Sequence, residues 1–287
     1  MIKYLLSSFI LVLGINIIKL ILIFSASLYY KKDFKKSIYI KPKILFVETS
    51  ILIFLLTLSF WFIDYYLNSE YSVLLFSLFF VSLIPSYNFI LSPLKYIFSK
   101  KEYLRNNELE KIIQGKGYEY NLIVIKGNII NAYATGILPF SKTILIGQTL
   151  KENMSKQNLL AIIFHEIGHL KLNHLAKLYF INTLLSLLSL IAFFVRIFFL
   201  QEVKSTIYEP LSIFILGLFI GLCFWYIPGK IQYKLELEAD FFASKVIGVK
   251  EFEKALIELD SLSDGLVSKG GITHPKLLKR IKNIYRK

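Results

Sequence analysis

The chain has 287 residues, 55% of them hydrophobic and 16% aromatic, a formal net charge of +14 and a mean hydropathy of +0.56. That balance excludes a water-soluble globule of this length and points to an integral membrane protein. It does not point to nucleic acid, because the lysines cluster beside long apolar runs, where membrane topology puts them.

In chain order, five apolar runs reach the roughly 20 residues needed to cross the hydrocarbon core. They cover residues 4–30, 44–67, 71–98, 178–200 and 207–227. The first is about twice the length of a signal peptide's apolar region and no small-residue cleavage site follows it, so it reads as an anchor. KKDFKKSIYIKPK, between the first two runs, and KYIFSKKEYLR, after the third, are rich in lysine, whereas DYYLNSEY between the second and third has no Lys or Arg. Positive residues stay inside, so the N-terminus is expected outside and the segments 99–177 and 228–287 both on the cytoplasmic face. The expected organisation is a membrane region with three spans (1–98), a first catalytic segment (99–177), a membrane hairpin (178–227) and a second catalytic segment (228–287). Neither polar segment is long enough for a comfortable core alone, so the two should fold together.

The first segment reads as a helix over residues 102–114, followed by β-rich LIVI and IINAYA with Gly127 and Asn128 between them as a hairpin turn. A third strand is expected at TILIG, and Ser155 is placed to cap the helix that follows. In the second segment helices are expected over residues 231–246 and 251–262, with a last one starting at THPKLLKR and Pro275 at its first position. Cys223, the single cysteine, excludes an internal disulfide and reads as a small buried hydrophobe.

The chemistry concentrates in IIFHEIGHLKLNH. Residues four apart share a helix face, so His165 and His169 can present two imidazoles to one ion with Glu166 beside them. This is the HExxH arrangement of zinc peptidases, in which the glutamate takes a proton from the attacking water. Alone, the pattern also fits an ordinary packed helix. A catalytic zinc usually takes three protein ligands. His174 lies nine residues past His165, about half a turn off the metal face, and is assigned to structure or solvent. LELEAD supplies a better third ligand: Glu236 and Asp240 are four apart on one face, with Glu238 on the far side and a small Ala239 to let two helices approach. Glu236 completes a His, His, Glu set, and Asp240 can accept a hydrogen bond from a ligand imidazole and fix its tautomer.

Four stretches taken in order, NAYATG at residues 131–136, HEIGHLKLNH at 165–174, ELEADFFA at 236–243 and THPKLLKRI at 273–281, resemble the membrane zinc metallopeptidases of the CAAX prenyl protease and HtpX type. The resemblance implies a mainly α membrane protein carrying a cytosolic gluzincin-type peptidase domain with a small β-sheet. It implies one zinc per chain on His165, His169 and Glu236, with Glu166 as catalytic base and Asp240 as support. It further implies that the strand bearing Asn131, Ala132, Tyr133 and Ala134 lies along the cleft and binds substrate by β-augmentation. From the last stretch it implies that His274 stabilises the oxyanion and that Arg280 belongs with the substrate-binding group.

The function expected is a membrane-embedded, zinc-dependent endopeptidase acting on membrane-associated or misfolded polypeptides. Its partners are a polypeptide and the lipid bilayer, with no nucleic acid, and a bacterial plasma membrane is expected rather than an organelle's. Two rivals are a membrane sensor with a peptidase-like domain, disfavoured by the short outside loops, and a transporter or structural protein in which the histidines are incidental.

Overall fold

The structure is a computed structural model. It describes residues 103–105, 107–202 and 222–286, with residues 85, 86, 89, 215, 216, 218 and 219, all within the unit Val81–Lys287. The spans expected over 4–30 and 44–67 lie outside the described residues, as do most of 71–98 and much of 207–227. What is described is mostly helical with one small sheet.

Strands β1 (Tyr103–Arg105), β2 (Asn121–Ile125), β3 (Ala132–Thr135) and β4 (Thr143–Gly147) form that sheet in the order β1-β2-β4-β3. β2 runs parallel to β4, while β1 and β3 run antiparallel to their neighbours. Two expectations change here. Residues 103–105 pair with β2 as a strand, so the first helix, α1, covers only Asn107–Gly115. The hairpin at Gly127 and Asn128 does not form, because β4 inserts between β2 and β3. The reason lies in TILIG, which is buried at all five positions; such a strand suits the covered centre of a sheet, and β3, with its exposed Tyr133, takes the edge.

After the short α2 (Gln148–Asn153), helix α3 (Lys156–Lys171) runs through the core. Its LLAIIF run supplies Leu159, Ile162, Ile163 and Phe164, all buried, and Ile167 and Leu170 extend the same packing. Ser155 sits at its N-cap as expected, but the hydroxyl is engaged by Glu258 instead of the first turn. Helix α4 (His174–Glu202) follows after Asn173, whose φ of 55° breaks the helix. Its portion His174–Ala192, with mean hydropathy 1.7, is the one described helix long and apolar enough to cross a membrane.

A π-helical turn at Leu222–Tyr226, where Cys223 is buried, leads into α5 (Ile227–Ile247), which packs along α3. Helix α6 (Val249–Leu262) packs against α3 as well. The short α7 (Leu266–Lys269) and α8 (Leu277–Ile284) close over them. Pro275 precedes α8 instead of opening it, since Lys276 is the N-cap.

Candidate metal centre

The site forms where α3 and α5 touch. A methyl group added at Gly168 would stand 3.2 Å from the Ala239 Cα and 3.3 Å from its carbonyl oxygen. Only a glycine facing an alanine permits so close an approach, and it brings the HEIGH face of α3 within side-chain reach of the ELEAD face of α5.

The Nε2 atoms of His165 and His169 are 3.2 Å apart. Each lies 3.5 Å from a carboxylate oxygen of Glu236. Ligands about 2.0–2.1 Å from a tetrahedral zinc sit roughly 3.3–3.4 Å from one another, so the three donors already span one face of such a tetrahedron. Two nitrogens and a carboxylate in this arrangement are a chemically suitable zinc donor set, and the three residues form a group able to hold a metal ion.

The electrostatics of the pocket favour a positive charge at its centre. Burial opposes charging His165, yet contacts with Asp240 and Glu236 push its pKa up to about 10. His169 is driven the other way, to about 3, by burial and then by the charge on His165. Glu236 is buried, which opposes ionisation, but the two imidazoles hold its carboxyl far below the usual range. Burial and the neighbouring charges thus shift the two imidazoles in opposite directions, and the Glu236 carboxylate beside them suits a cation held between these three groups.

Behind His165, its Nδ1 lies 2.9 Å from Asp240 Oδ1, though off the line of a fully formed N–H···O bond. Asp240 is wholly buried and accepts two bonds from Arg280, from Nε at 2.8 Å and from the Nη2 group at 2.6 Å. Burial works against the Asp240 carboxylate, but the guanidinium charge and its bonds keep the carboxyl below its ordinary range. Arg280, grouped in sequence with the substrate, is itself buried and spends this fork on Asp240.

Glu166 points the other way, toward the sheet, where the Ala134 N–H donates to its Oε2 at 2.6 Å. Burial raises its pKa to about 7, against the lowering influence of His165. That bond also orients β3. If the Ala134 N–H faces away from β4, then by strand alternation the polar groups of Ala132 and Ala134 line the free edge, while those of Asn131 and Tyr133 face β4. The Asn131 carbonyl accordingly accepts from the Gly147 N–H at 2.9 Å, and its side chain accepts from the Ala132 N–H at 3.0 Å. His274, on the segment before α8, stands half exposed with Nε2 3.6 Å from Glu236 Oε1.

Sequence reasoning missed one neighbour. His174 is completely buried and reaches the back of His169, with Nδ1 to Nδ1 at 3.1 Å. Its Nε2 is 3.2 Å from Oε2 of Glu238, the carboxylate expected on the far side of α5. Counting helical angle past Lys171 fails because the chain turns at Asn173 and re-aims the next residue.

The chain is similar to several known proteins. CAAX prenyl protease 1 of Saccharomyces cerevisiae is 27% identical over 224 residues, 64% of this chain and 49% of that protein. The human CAAX prenyl protease 1 homolog is 29% identical over 146 residues, 46% of this chain and 31% of that one. A protease HtpX homolog of Helicobacter pylori is 26% identical over 118 residues, 41% of this chain and 38% of that one. The chain thus spans about half or less of the length of these curated relatives. The crystal structure of S. mikatae Ste24p superposes with a TM-score of 0.60 at 22% identity, covering 85% of this chain and 65% of that one, a likeness of fold. The model of peptidase family M48 matches residues 99–287. With its HEIGH and ELEAD helices inside that match, the chain belongs to peptidase family M48.

Proposed function

We propose that the protein is a membrane-embedded zinc endopeptidase that hydrolyses peptide bonds of membrane-associated or misfolded polypeptides. The observation that carries this reading is the convergence of His165, His169 and Glu236, whose ligand atoms lie within 4.8 Å of one another, with Glu166 near enough to feel the charges of His165 and Glu236. Family membership and the protease names of the relatives support it.

His165, His169 and Glu236 hold one zinc ion, which when bound supplies a Lewis acid for the scissile carbonyl and lowers the pKa of water to about 7. Glu166 removes a proton from the attacking water and returns it to the leaving amine. Its bond from the Ala134 N–H holds the carboxylate toward the sheet edge where a substrate would lie. An extended peptide pairs with the free edge of β3 through the carbonyls of Ala132 and Ala134, so recognition is largely by main chain and broad. In this reading His274 donates to the developing oxyanion, a role supported by its half-exposed position near Glu236. Arg280 acts through Asp240, holding the carboxylate that backs His165.

The apolar helix α4 supports a bilayer location and substrates presented at a membrane. Lysine-rich flanks support a cytoplasmic orientation of the catalytic segments, and a bacterial plasma membrane is the location this reading adopts.

Glu166→Gln in the full chain should retain zinc and lose at least about 100-fold in cleavage of a model peptide. Undiminished turnover would remove the base. Glu236→Ala should lose the metal, and equal zinc content in mutant and parent would hand the third-ligand role to another group.

A further inference from the structure

The mechanism above leaves one buried, proton-bearing side chain unused. His174 opens α4 directly after the break at Asn173, and its ring meets that of His169 nearly edge to face, centroids 5.0 Å apart at 79°. One nitrogen faces His169 at 3.1 Å and the other faces Glu238 at 3.2 Å. Any buried histidine needs partners for its nitrogens, but here one of the two partners is the ring of His169, a member of the proposed ligand set.

The proton assignment follows from the end of the chain. Glu238 is a carboxylate and can only accept, so His174 Nε2 carries the hydrogen and donates to it. In a neutral ring His174 Nδ1 is then an acceptor, which requires His169 Nδ1–H as the donor. That leaves the lone pair of His169 on Nε2, the atom 3.5 Å from Glu236 and 3.2 Å from His165 Nε2. The reverse assignment would put a proton between the ligand nitrogens and the ion.

We propose that His174 is a positioning residue for the metal ligand His169: together with Glu238 it fixes the ring orientation and the tautomer that turns Nε2 toward the ion. It rests on the zinc reading given above and extends it. The two ligand imidazoles are then held by different devices. Asp240 and Arg280 back His165, and a second imidazole ending at a carboxylate backs His169. Glu238 links this device to α5, two residues beyond the ligand Glu236, so one helix supplies a ligand and steadies two others.

The test is zinc affinity of the full-length, detergent-purified protein, measured by competition with a chromophoric chelator, together with unfolding temperature in the metal-free state. His174→Phe keeps the ring volume and removes the acceptor; His174→Asn loses volume but puts an amide oxygen where Nδ1 was. The relay predicts that Phe weakens zinc binding by about 10–100-fold and that Asn recovers a substantial part of it. A packing role predicts the opposite ranking. Phe binding zinc within about threefold of the parent, or Asn no better than Phe, overturns the proposal. Glu238→Ala keeps the test open if His174→Phe fails to fold. That side chain is half exposed, so its loss should weaken zinc binding by up to about 10-fold with the metal-free unfolding temperature unchanged, and unchanged affinity would break the relay. A parent protein that takes up no zinc sinks the zinc reading itself, whereas a zinc-binding parent with indifferent variants sinks only the role of His174.

Discussion

Helices α3 and α4 are joined by two residues and are both rich in large apolar side chains, yet they answer to different surroundings. Along α3 the apolar residues are buried except for the partly buried Leu160, and Phe164 is 0% exposed against Tyr118 and the core. Along α4 Phe180 is 70% exposed and Leu184 56%, and the stripe continues through Leu188, Ile191 and Val195. Hydrophobic content alone therefore does not tell a core helix from one that leaves its apolar face exposed. The polar residues within each do: α3 interrupts its apolar run with the buried His165 and Glu166, which reach partners on other elements, whereas in α4 Asn182, Thr183 and Ser189 bond back to their own helix backbone.

Paired truncations test the contrast most sharply. Phe164→Ala should cost about 3–5 kcal/mol in detergent, and Phe180→Ala within about 0.5 kcal/mol, read by thermal or denaturant unfolding. Similar losses at both would mean that α4 is packed against protein over that face. Next in size, Leu184→Asp near the middle of α4 should disfavour bilayer insertion by about 2.5–3.5 kcal/mol, seen as release of protein on alkaline carbonate extraction. Zinc content of the fraction that does insert should be unchanged, and a membrane-retained variant at parental level would argue against α4 as a span.

A smaller effect is expected at the contact of α3 with α5. Gly168→Ala adds a methyl already at 3.1 Å from the Phe242 ring and 3.2 Å from the Ala239 backbone, and such overpacking should cost about 1–3 kcal/mol. Because the helices part at the site itself, zinc affinity should fall together with stability; a drop in stability with full affinity would show that the close approach serves packing alone.

The smallest effect lies at the start of α3. Glu258 of α6 accepts from the Ser155 N–H at 2.9 Å and from its hydroxyl at 3.0 Å, and also from Asn158. Glu258→Ala should cost about 1 kcal/mol, as loss of a helix cap does. These bonds depress the Glu258 pKa in spite of its slight desolvation. A carboxyl depressed in the folded state contributes stability above its unfolded pKa and loses it as pH falls through the folded value. The difference between parent and mutant should therefore be present at neutral pH and vanish in acid, in paired melts; a gap persisting at low pH would assign the effect to packing.

What the sequence disclosed divides along the range of the interactions involved. HEIGH and ELEAD were readable because four-residue spacing on a helix is local geometry, and the structure brings His165, His169, Glu236 and Asp240 together as that spacing required. The hairpin at Gly127 misled because turn chemistry says nothing about a third strand entering between two neighbours, and TILIG prevailed through burial. His174 stays off the ligand set, as its spacing required, but its contact with His169 was not legible, because a single positive φ at Asn173 reset the helical phase. The partnership of Arg280 with Asp240, forty residues apart, has no local signature. Three of the five expected spans rest on composition alone, since they fall almost entirely outside the described residues.

The bond from the Ala134 amide to Glu166 carries an evolutionary consequence. Because the donor belongs to the peptide unit, every genetically encoded residue except proline can supply it. The anchor of the carboxylate therefore does not depend on which side chain position 134 carries, so long as that side chain fits against the core that Ala134 touches. In the peptidase proposed above, the strand that would bind substrate and the carboxylate that would move the proton are thus tied by main chain alone.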